Sequence, residues 1–186
     1  MISVSKRATQ VNTPYPVYRA RTEEDIYHCV STVCNGKNRG SMFIESTDYD
    51  PLAITNEIIN VQTLYNKCKG IRVRGVYLTI TKDEFPNFIK MSLEIDEIAR
   101  RFCSYIAFQG YQTIYNINDY PNAFVVNYIF NSTSFQNGYK FRINDSTFID
   151  DATACAASIV RDVIKKPNGN PYDMFHLEYY PYSFEE

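Results

Sequence analysis

The chain has 186 residues, of which 45% are hydrophobic and 22% charged, with a formal net charge of −2 and a pI of about 5.7. This length and composition predict one globular domain with a core of its own. The acidic balance argues against a protein that binds nucleic acid through a positive surface as a whole, so any DNA affinity has to come from a local basic strip. The start of the chain lacks the apolar core of a signal peptide, and no stretch reaches the roughly 18 apolar residues of a membrane span, so we expect a soluble, cytoplasmic protein without membrane contact.

Two residue classes stand out in the composition. There are 16 tyrosines and 12 phenylalanines but no tryptophan, a content that favours sheet surfaces, edges and interfaces. The cysteines are odd in number and have no CxxC spacing, so neither a disulfide framework nor a zinc site is predicted. We expect reduced thiols, mostly packed in the core, at Cys29, Cys34, Cys68, Cys103 and Cys155.

The first predicted elements follow a proline-containing arm. Residues 1–22 predict a mobile or extended segment, and Thr22 followed by three acidic residues is typical of a capped helix start. A first helix is therefore predicted over about 23–33. The turn-forming segment NGKNRG (35–40) leads into SMFIES (41–46), which predicts a short strand.

Two more helices enclose an alternating strand. Residues 51–68 carry apolar side chains at helical spacing, open with Asp50-Pro51 and close before a glycine. Residues 71–82 alternate apolar and polar side chains, which predicts a half-buried strand. A third helix is predicted to start at Ser92, which precedes acidic residues, and to end near residue 107.

The second half of the chain predicts a hairpin and a final helix. YQTIYNIND (111–119) and AFVVNYIFNSTSF (123–135) are strand runs joined by a turn at Tyr120-Pro121-Asn122. NGYKFRI (137–143) predicts a tight turn and a further short strand. DDATACAASIVRDVIKK (150–166) has the apolar spacing of a fourth helix.

The order of these elements sets the fold class. The late strands are joined too tightly for parallel crossovers, so we predict an α+β domain with a mostly antiparallel central sheet flanked by helices. We assign residues 1–22 to an N-terminal arm, 23–166 to the domain and 167–186 to an aromatic, acidic tail. The tail is predicted to be either a strand or an extended docking segment.

Catalytic motifs are scarce in this sequence. The only histidines, His28 and His176, lie far apart, so one monomer cannot build a multi-histidine metal site. Phosphate-loop, dinucleotide, nucleophile-elbow and HExxH motifs are absent. No catalytic residue, metal or cofactor is therefore assigned. An unrelated enzyme would depend on turn or helix-cap carboxylates at Asp119, Asp145, Asp150 and Asp151.

One long segment resembles a known family. YQTIYNINDYPNAFVVNYIFNSTSFQNGYKFR (111–142) resembles the central motif of the relaxase/mobilisation nucleases, the plasmid-transfer enzymes that nick one DNA strand. It aligns without a gap with a motif whose two strands carry the histidines of the catalytic metal, and the flanking elements over about 23–166 resemble the family in the same order. The resemblance implies a relaxase-like (HUH-type) palm. The shared residues are Tyr111, Gln112, Asn131, Ser132, Ser134, Phe135, Gly138, Lys140, Phe141 and Arg142.

The chain departs from the family at the metal site. In this register Tyr120 replaces the acidic companion, and the metal-site histidines fall on Asn118, Ala123, Val125 and Asn127. Alanine and valine offer no ligand atom, and amide oxygens are weak ligands for a transition metal. The resemblance therefore implies a degenerate member without a metal.

The nucleophile is also missing from its expected position. The family's attacking tyrosine would fall near Val30–Thr32, and Tyr27, one helical turn earlier, is the candidate residual tyrosine. A substitute nucleophile without a metal still lacks charge stabilisation for the phosphoryl transition state. Tyr77 stands where the family keeps a further strand histidine. We therefore expect no enzyme activity.

Two functions fit this reading. The first is a catalytically inactive relaxase-like protein of a mobile element such as a conjugative plasmid, with an accessory DNA-binding role in mobilisation. Its partners would be single-stranded or origin DNA, or another mobilisation protein. The second is a structural or protein-interaction module on the same scaffold, which uses aromatic surface and does not bind DNA. The candidate DNA-binding residues, unless they are simply solvated charges at turns, are Lys37, Arg39, Lys67, Lys69, Arg72 and Arg74.

Overall fold

The fold is a five-stranded sheet covered by helices on both faces. The computed structural model describes residues 20–85, 89–141, 146–164 and 175–179. The strands are β1 (Asn38–Met42), β2 (Val73–Thr81), β3 (Thr113–Asp119), β4 (Ala123–Asn131) and β5 (Phe175–Tyr179). The helices are α1 (Glu23–Cys34), α2 (Pro51–Leu64), α3 (Met91–Phe108) and α4 (Ser146–Ile164), and a short 3₁₀ turn follows β2 at Lys82–Glu84.

The sheet has the order β1-β3-β4-β2-β5, and every neighbouring pair is antiparallel. The hairpin β3–β4 occupies the centre, which accounts for its nearly continuous burial. The predicted α+β class with a mostly antiparallel sheet flanked by helices is confirmed.

Two helix starts agree with the sequence prediction. Thr22 and Asp25 form a reciprocal capping box at the start of α1, each side chain bonding the other residue's backbone N–H. Asp50 accepts hydrogen bonds from the N–H groups of Leu52 and Ala53, and Pro51 stands at the first position of α2, where its missing N–H costs nothing.

One predicted cap and two predicted helix ends are wrong. Helix α3 starts at Met91 after Lys90, which makes no side-chain cap, so Ser92 lies inside the helix. Helix α2 ends at Leu64, short of 68, because Asn66 adopts a left-handed conformation (φ 54°). Helix α4 starts at Ser146, so the acidic pair at 150–151 lies a full turn inside it and does not cap it.

The predicted outer segments are partly described. The short strand expected in 137–143 is reduced, within the described residues, to an isolated bridge between Thr133 and Lys140. The tail contributes β5, which pairs with β2. Of the N-terminal arm, the structure describes residues 20–22, and Ala20 bridges to Val73 at the start of β2. The remainder of the arm and tail lies outside the described residues.

The two sheet faces pack against different helices. We call the face under α1 and α2 face A, and the face under α3 and α4 face B. On face A, Ile114 and Ile129 join the apolar side chains of α1 and α2. On face B, residues such as Tyr128 and Phe130 join α3 and α4 in a larger core. The period-two alternation of each strand therefore supplies two separate apolar layers.

A buried amide network ties the end of β4 to its surroundings. The Asn131 side chain donates to the Ile58 carbonyl (3.3 Å) and to Gln112 Oε1 (3.0 Å), and it accepts from Gln62 Nε2 (2.9 Å) and from the Thr133 N–H (3.0 Å). Asn131 and Gln62 are fully buried. Because each buried polar atom needs a partner, this network fixes where α2 meets the sheet.

The segment after β4 continues this packing. The Ser132 N–H donates to the Arg72 carbonyl, and the Ser132 carbonyl accepts from the Phe141 N–H. The Ser132 hydroxyl donates to the Ile71 carbonyl (2.8 Å). Gly138, with a φ of 68°, lies against the Tyr65 ring, where an added Cβ would sit 2.3 Å from Cδ1. Most residues shared with the relaxase motif are thus structural residues of this chain.

The thiols are mostly buried, as predicted. Cys29, Cys34 and Cys103 are buried, Cys155 is half-buried and Cys68 is exposed, all as free thiols. Burial raises the pKa of Cys29 and Cys103 to about 12, so these thiols stay protonated near neutral pH. None of the helices in the described ranges is long and apolar enough to cross a membrane.

We predict that Asn131→Ala lowers the free energy of unfolding by roughly 3 kcal/mol, because it leaves several buried groups without hydrogen-bond partners at about 1 kcal/mol each. Urea denaturation followed by circular dichroism measures the change. Asn60→Ala, at an exposed position of α2, is the matched control and should shift stability by less than about 0.5 kcal/mol. Equal effects of the two substitutions would show that the network is not a main source of stability.

Candidate functional site

The four positions aligned with metal-site histidines lie on one face of the β3–β4 hairpin. Asn118 is the cross-strand partner of Val125, and Asn127 pairs with Asn116. Ala123, Val125 and Asn127 alternate along β4, so their side chains share one side of the strand. That side is face A, since Ile114 and Ile129 on the same alternation pack under α1 and α2.

Three amides form the centre of this region, which we call the asparagine cluster (Asn116, Asn118 and Asn127). Asn116 Oδ1 accepts hydrogen bonds from Asn127 Nδ2 (2.9 Å) and from Asn118 Nδ2 (3.4 Å). Asn116 and Asn127 are buried, and Asn118 is half-buried. Sequence reasoning missed Asn116, although its period-two spacing from Asn118 on the same strand was a usable signal.

Helix α1 and the turn after it lie directly against the cluster. Asn116 Nδ2 donates to the Thr32 carbonyl at 3.5 Å, and Thr32 belongs to the segment where the family's tyrosine would fall. A Cβ added at Gly36 would sit 2.5 Å from Asn116 Nδ2, so the backbone here approaches the amide as closely as glycine allows. Val30 points into the core.

Tyr27 lies on the exposed side of α1. Its side chain is 40% exposed, and its ring packs edge-on against His28 at 5.9 Å between centroids. His28 itself is exposed, with its Nε2 3.8 Å from the Glu24 carboxylate. Tyr77, in the place of the strand histidine, is buried and in register with Asn127.

The chemistry of this region does not suit a transition metal. The four aligned positions supply two amides, an alanine and a valine. Among the described residues no group of three His, Cys, Asp or Glu side chains is placed to hold a metal ion. The buried Asn127 Oδ1 has no hydrogen-bond partner in that part of the chain, but a single amide oxygen is a weak ligand.

The candidate DNA-binding residues fall into two groups. Lys37 and Arg39 lie beside the asparagine cluster, since Arg39 is in register with Asn116. Lys37 is exposed. The Arg39 guanidinium donates to the Cys34 carbonyl and stacks 4.8 Å above the Tyr49 ring. Lys37 also borders a cleft of about 470 Å³ whose lining mixes charges of both signs, including Asp96, Glu97 and Arg100.

The second group lies at the opposite end of the sheet. Lys67 and Lys69 are exposed in the loop between α2 and β2, next to the residue pair Val73 and Asn131. Asn38, the neighbour of Lys37, is level with Ile117 and Val126, so Asn131 lies five residues further along β4, or about 17 Å along the strand. The structure therefore does not bring the six candidates onto one surface.

Arg72 and Arg74 are not available to DNA. They are only 4% and 9% exposed. Arg72 Nε donates to Gln62 Oε1 at 2.7 Å, and its Nη1 lies 3.9 Å from a Glu23 carboxylate oxygen. The Arg74 guanidinium lies 5.8 Å from the Phe141 ring centroid. Both therefore belong to the packing between the sheet and its surroundings.

Lys140 is a further cation that sequence reasoning did not assign to this surface. Its Nζ donates to the carbonyls of Lys67 (3.3 Å) and Lys69. Burial lowers the pKa of Lys140, and the nearby charges of Arg72, Arg74 and Lys67 lower it further. Positive charge is thus concentrated at this end of a chain whose net charge is negative.

The carboxylates of the alternative enzyme are spread out. Asp119, at the end of β3, forms an ion pair with Lys82. Asp150 and Asp151 are exposed on α4. Asp145 lies outside the described residues. These positions give no support to a carboxylate-based active site.

Comparison with known proteins adds no assignment. No family model matches this chain, and neither a curated protein nor a solved structure matches it. The resemblance to the relaxase family therefore stays a prediction that depends on the residues described above.

We predict that Asn118→His, Val125→His and Asn127→His together create a metal site, because the register holds all three on face A of adjacent strands. Zn²⁺ or Co²⁺ should raise the melting temperature of this triple variant, and bound Co²⁺ should show visible absorption bands. The control is Val125→His with Asn127→His alone, which supplies one ligand fewer and should bind at least about tenfold more weakly. A metal response equal in both variants, or absent from both, would contradict the placement.

Proposed function

We propose that this chain is a non-nicking, relaxase-like protein of a mobile element, with an accessory DNA-binding role. The observation that carries the proposal is the asparagine cluster. Four positions aligned with metal ligands share face A beside α1, yet they carry amide and aliphatic side chains. The common face of the four positions supports a relaxase-like scaffold. Their amide and aliphatic side chains support a scaffold that does not bind the catalytic metal.

Residues shared with the relaxase motif support the scaffold part of the proposal. Asn131, Gln112 and Ser132 take part in buried hydrogen bonds, and Gly138 is required by a close approach to Tyr65. These residues would be retained for folding even after catalysis is lost. In contrast, the four positions where the family keeps its metal-binding histidines carry other side chains in this chain.

The loss of nicking follows from the charge requirements of phosphoryl transfer. Charge develops on the phosphoryl oxygens in the transition state, and a metal or preorganised cations must stabilise it. Near the asparagine cluster, Arg39 is engaged with Cys34 and Tyr49. Tyr27, on the exposed side of α1, packs against His28. We therefore assign Tyr27 no nucleophilic role.

Local cations support DNA contact. Lys37 is exposed beside the cluster, and Lys67 and Lys69 are exposed at the far end of the sheet. Such side chains contact phosphates irrespective of sequence, and half-exposed amides such as Asn118 can donate to bases or phosphates. The net charge of −2 predicts that this affinity is weak and highly sensitive to salt.

We predict that the purified protein leaves supercoiled origin plasmid intact with Mg²⁺ or Mn²⁺, and that it binds fluorescein-labelled oligo-dT in an anisotropy titration. For about three phosphate contacts, affinity should fall about 20-fold between about 50 and 200 mM salt. A full relaxase, which should nick the same plasmid, is the positive control. Nicking by this chain would overturn the non-catalytic assignment, and absence of binding at low salt would overturn the DNA-binding role.

The second candidate function is a protein-interaction module without DNA binding. It is favoured by exposed aromatic surface, in which Phe43, Phe108 and Tyr139 are each more than 40% exposed. Absence of oligo-dT binding at low salt would favour this module. A gene neighbourhood that contains a transfer operon with a complete relaxase would support the accessory role.

A further inference from the structure

An exposed group of rings lies at the end of the sheet where β4 ends. We call Phe43, Phe108 and Phe135 the aromatic cluster. The Phe43 ring centroid is 4.8 Å from that of Phe135 and 6.1 Å from that of Phe108. Phe43 is 44% exposed and Phe108 68% exposed. Phe135 is half-buried beneath them, so the two exposed rings and their half-buried neighbour form a platform of planar apolar faces.

The backbone at Phe43, the ring that contacts both of the others, is strained. Its φ is 56°, in the left-handed region that side chains other than glycine avoid at a cost of roughly 1–2 kcal/mol. The strained residue is not buried, and its ring packs on Phe135 and Phe108. Strain kept at an exposed aromatic residue is typical of functional sites.

Positive charge lies next to the platform. We call Lys67, Lys69 and Lys140 the lysine cluster. Lys140 joins the carbonyls of the other two, and Arg72 and Arg74 lie close enough behind it to lower its pKa. In the described part of the chain, Arg72 Nη2 is buried without a hydrogen-bond partner. The electrostatic environment therefore favours an anion.

Tyr65 and the segment after β4 (residues 135–140) connect the aromatic cluster with the lysine cluster. The Tyr65 hydroxyl donates to the Phe135 carbonyl at 2.9 Å, and the Tyr65 ring lies under Gly138. Lys67 follows Tyr65 by two residues, so their Cα atoms are at most about 7.6 Å apart. The segment after β4 contains both Phe135 and Lys140. Aromatic rings and lysines thus lie on adjoining parts of one surface.

We propose that this surface is the binding site for single-stranded DNA, with bases stacked on the aromatic cluster and phosphates held by Lys67 and Lys69. The inference rests on the proposed DNA-binding function and specifies where the DNA lies. Stacking on rings beside a cationic strip is the usual way to hold unpaired strands without sequence preference. An acidic peptide would also use the lysines, but it has no planar bases to cover the exposed rings.

The variants separate this surface from the region near the asparagine cluster. Phe108→Ala and Phe43→Gly each remove a stacking ring, and the glycine also relieves the left-handed backbone. We expect each to weaken oligo-dT binding about tenfold. Lys67→Glu with Lys69→Glu should weaken binding by more than tenfold at low salt and reduce its salt dependence.

Matched controls exist for both kinds of change. Leu93→Ala removes a 70% exposed apolar side chain from the first turn of α3, whereas Phe108 ends the same helix about 23 Å away. Lys37→Glu with Arg39→Glu reverses two charges at the other end of the sheet. Leu93→Ala should keep oligo-dT affinity within about twofold, because Leu93 is not part of the surface. The Lys37/Arg39 variant should lose clearly less affinity than the Lys67/Lys69 variant, because its charges lie away from the aromatic cluster. Thermal melts show that each variant is folded.

The outcomes distinguish the site from the function. Selective loss in the aromatic and Lys67/Lys69 variants supports the site, as does photocrosslinking of iododeoxyuridine oligonucleotide to peptides that contain Phe43, Phe108 or Phe135. Binding that depends on Lys37 and Arg39 instead overturns the site but leaves the function standing. Equal loss in both charge variants with none in Phe108→Ala overturns base stacking. Absence of binding by the wild-type chain overturns both.

Discussion

The fold depends most on the buried side chain of Asn131. Its amide joins α2, the segment before β3 and the backbone after β4 in one hydrogen-bond network. A polar group this deep in the protein destabilises the folded state unless its bonds are complete, so the network allows one arrangement of these parts. That arrangement also decides how the chain leaves β4, and therefore where Phe135 and Lys140 reach the surface.

A second set of amides, at the other end of the hairpin, is less complete. The asparagine cluster shares Asn116 Oδ1 between two donors, while Asn127 Oδ1 has no partner among the described residues. The Asn131 amide makes four hydrogen bonds, as expected of a residue that stabilises the fold. The asparagine cluster leaves a buried oxygen unbonded among the described residues, so it contributes less to stability. Under the proposed function, this contrast would correspond to a retained scaffold without the ligand atoms of a metal site.

Charge follows a similar division between interior and surface. The two arginines of the sequence segment around 72–74 are used inside the protein, where Arg72 bonds Gln62 and Arg74 stacks on Phe141. The exposed positive charge next to this segment is on Lys67 and Lys69, which carry flexible, strongly hydrated ammonium groups. Under the proposed DNA-binding role, a chain with a net charge of −2 would attract a phosphate backbone where such lysines cluster, and aromatic stacking would supply much of the affinity.

Local sequence determined β2, the β3–β4 hairpin and the capped starts of α1 and α2, because alternation, capping residues and short turns act within a few residues. It placed the first strand at 41–46, whereas β1 is Asn38–Met42 and includes residues expected in a turn. The cap predicted at Ser92 and the start predicted for α4 were wrong, since α3 begins at Met91 and α4 at Ser146. For the candidate site, the resemblance singled out Asn118, Val125 and Asn127, which the structure puts on face A, but it missed Asn116. Only the tertiary structure decided that Arg72 and Arg74 are buried and that Phe43, Phe108 and Phe135 meet. These rings are far apart in the chain, and contacts of that kind depend on how whole elements pack.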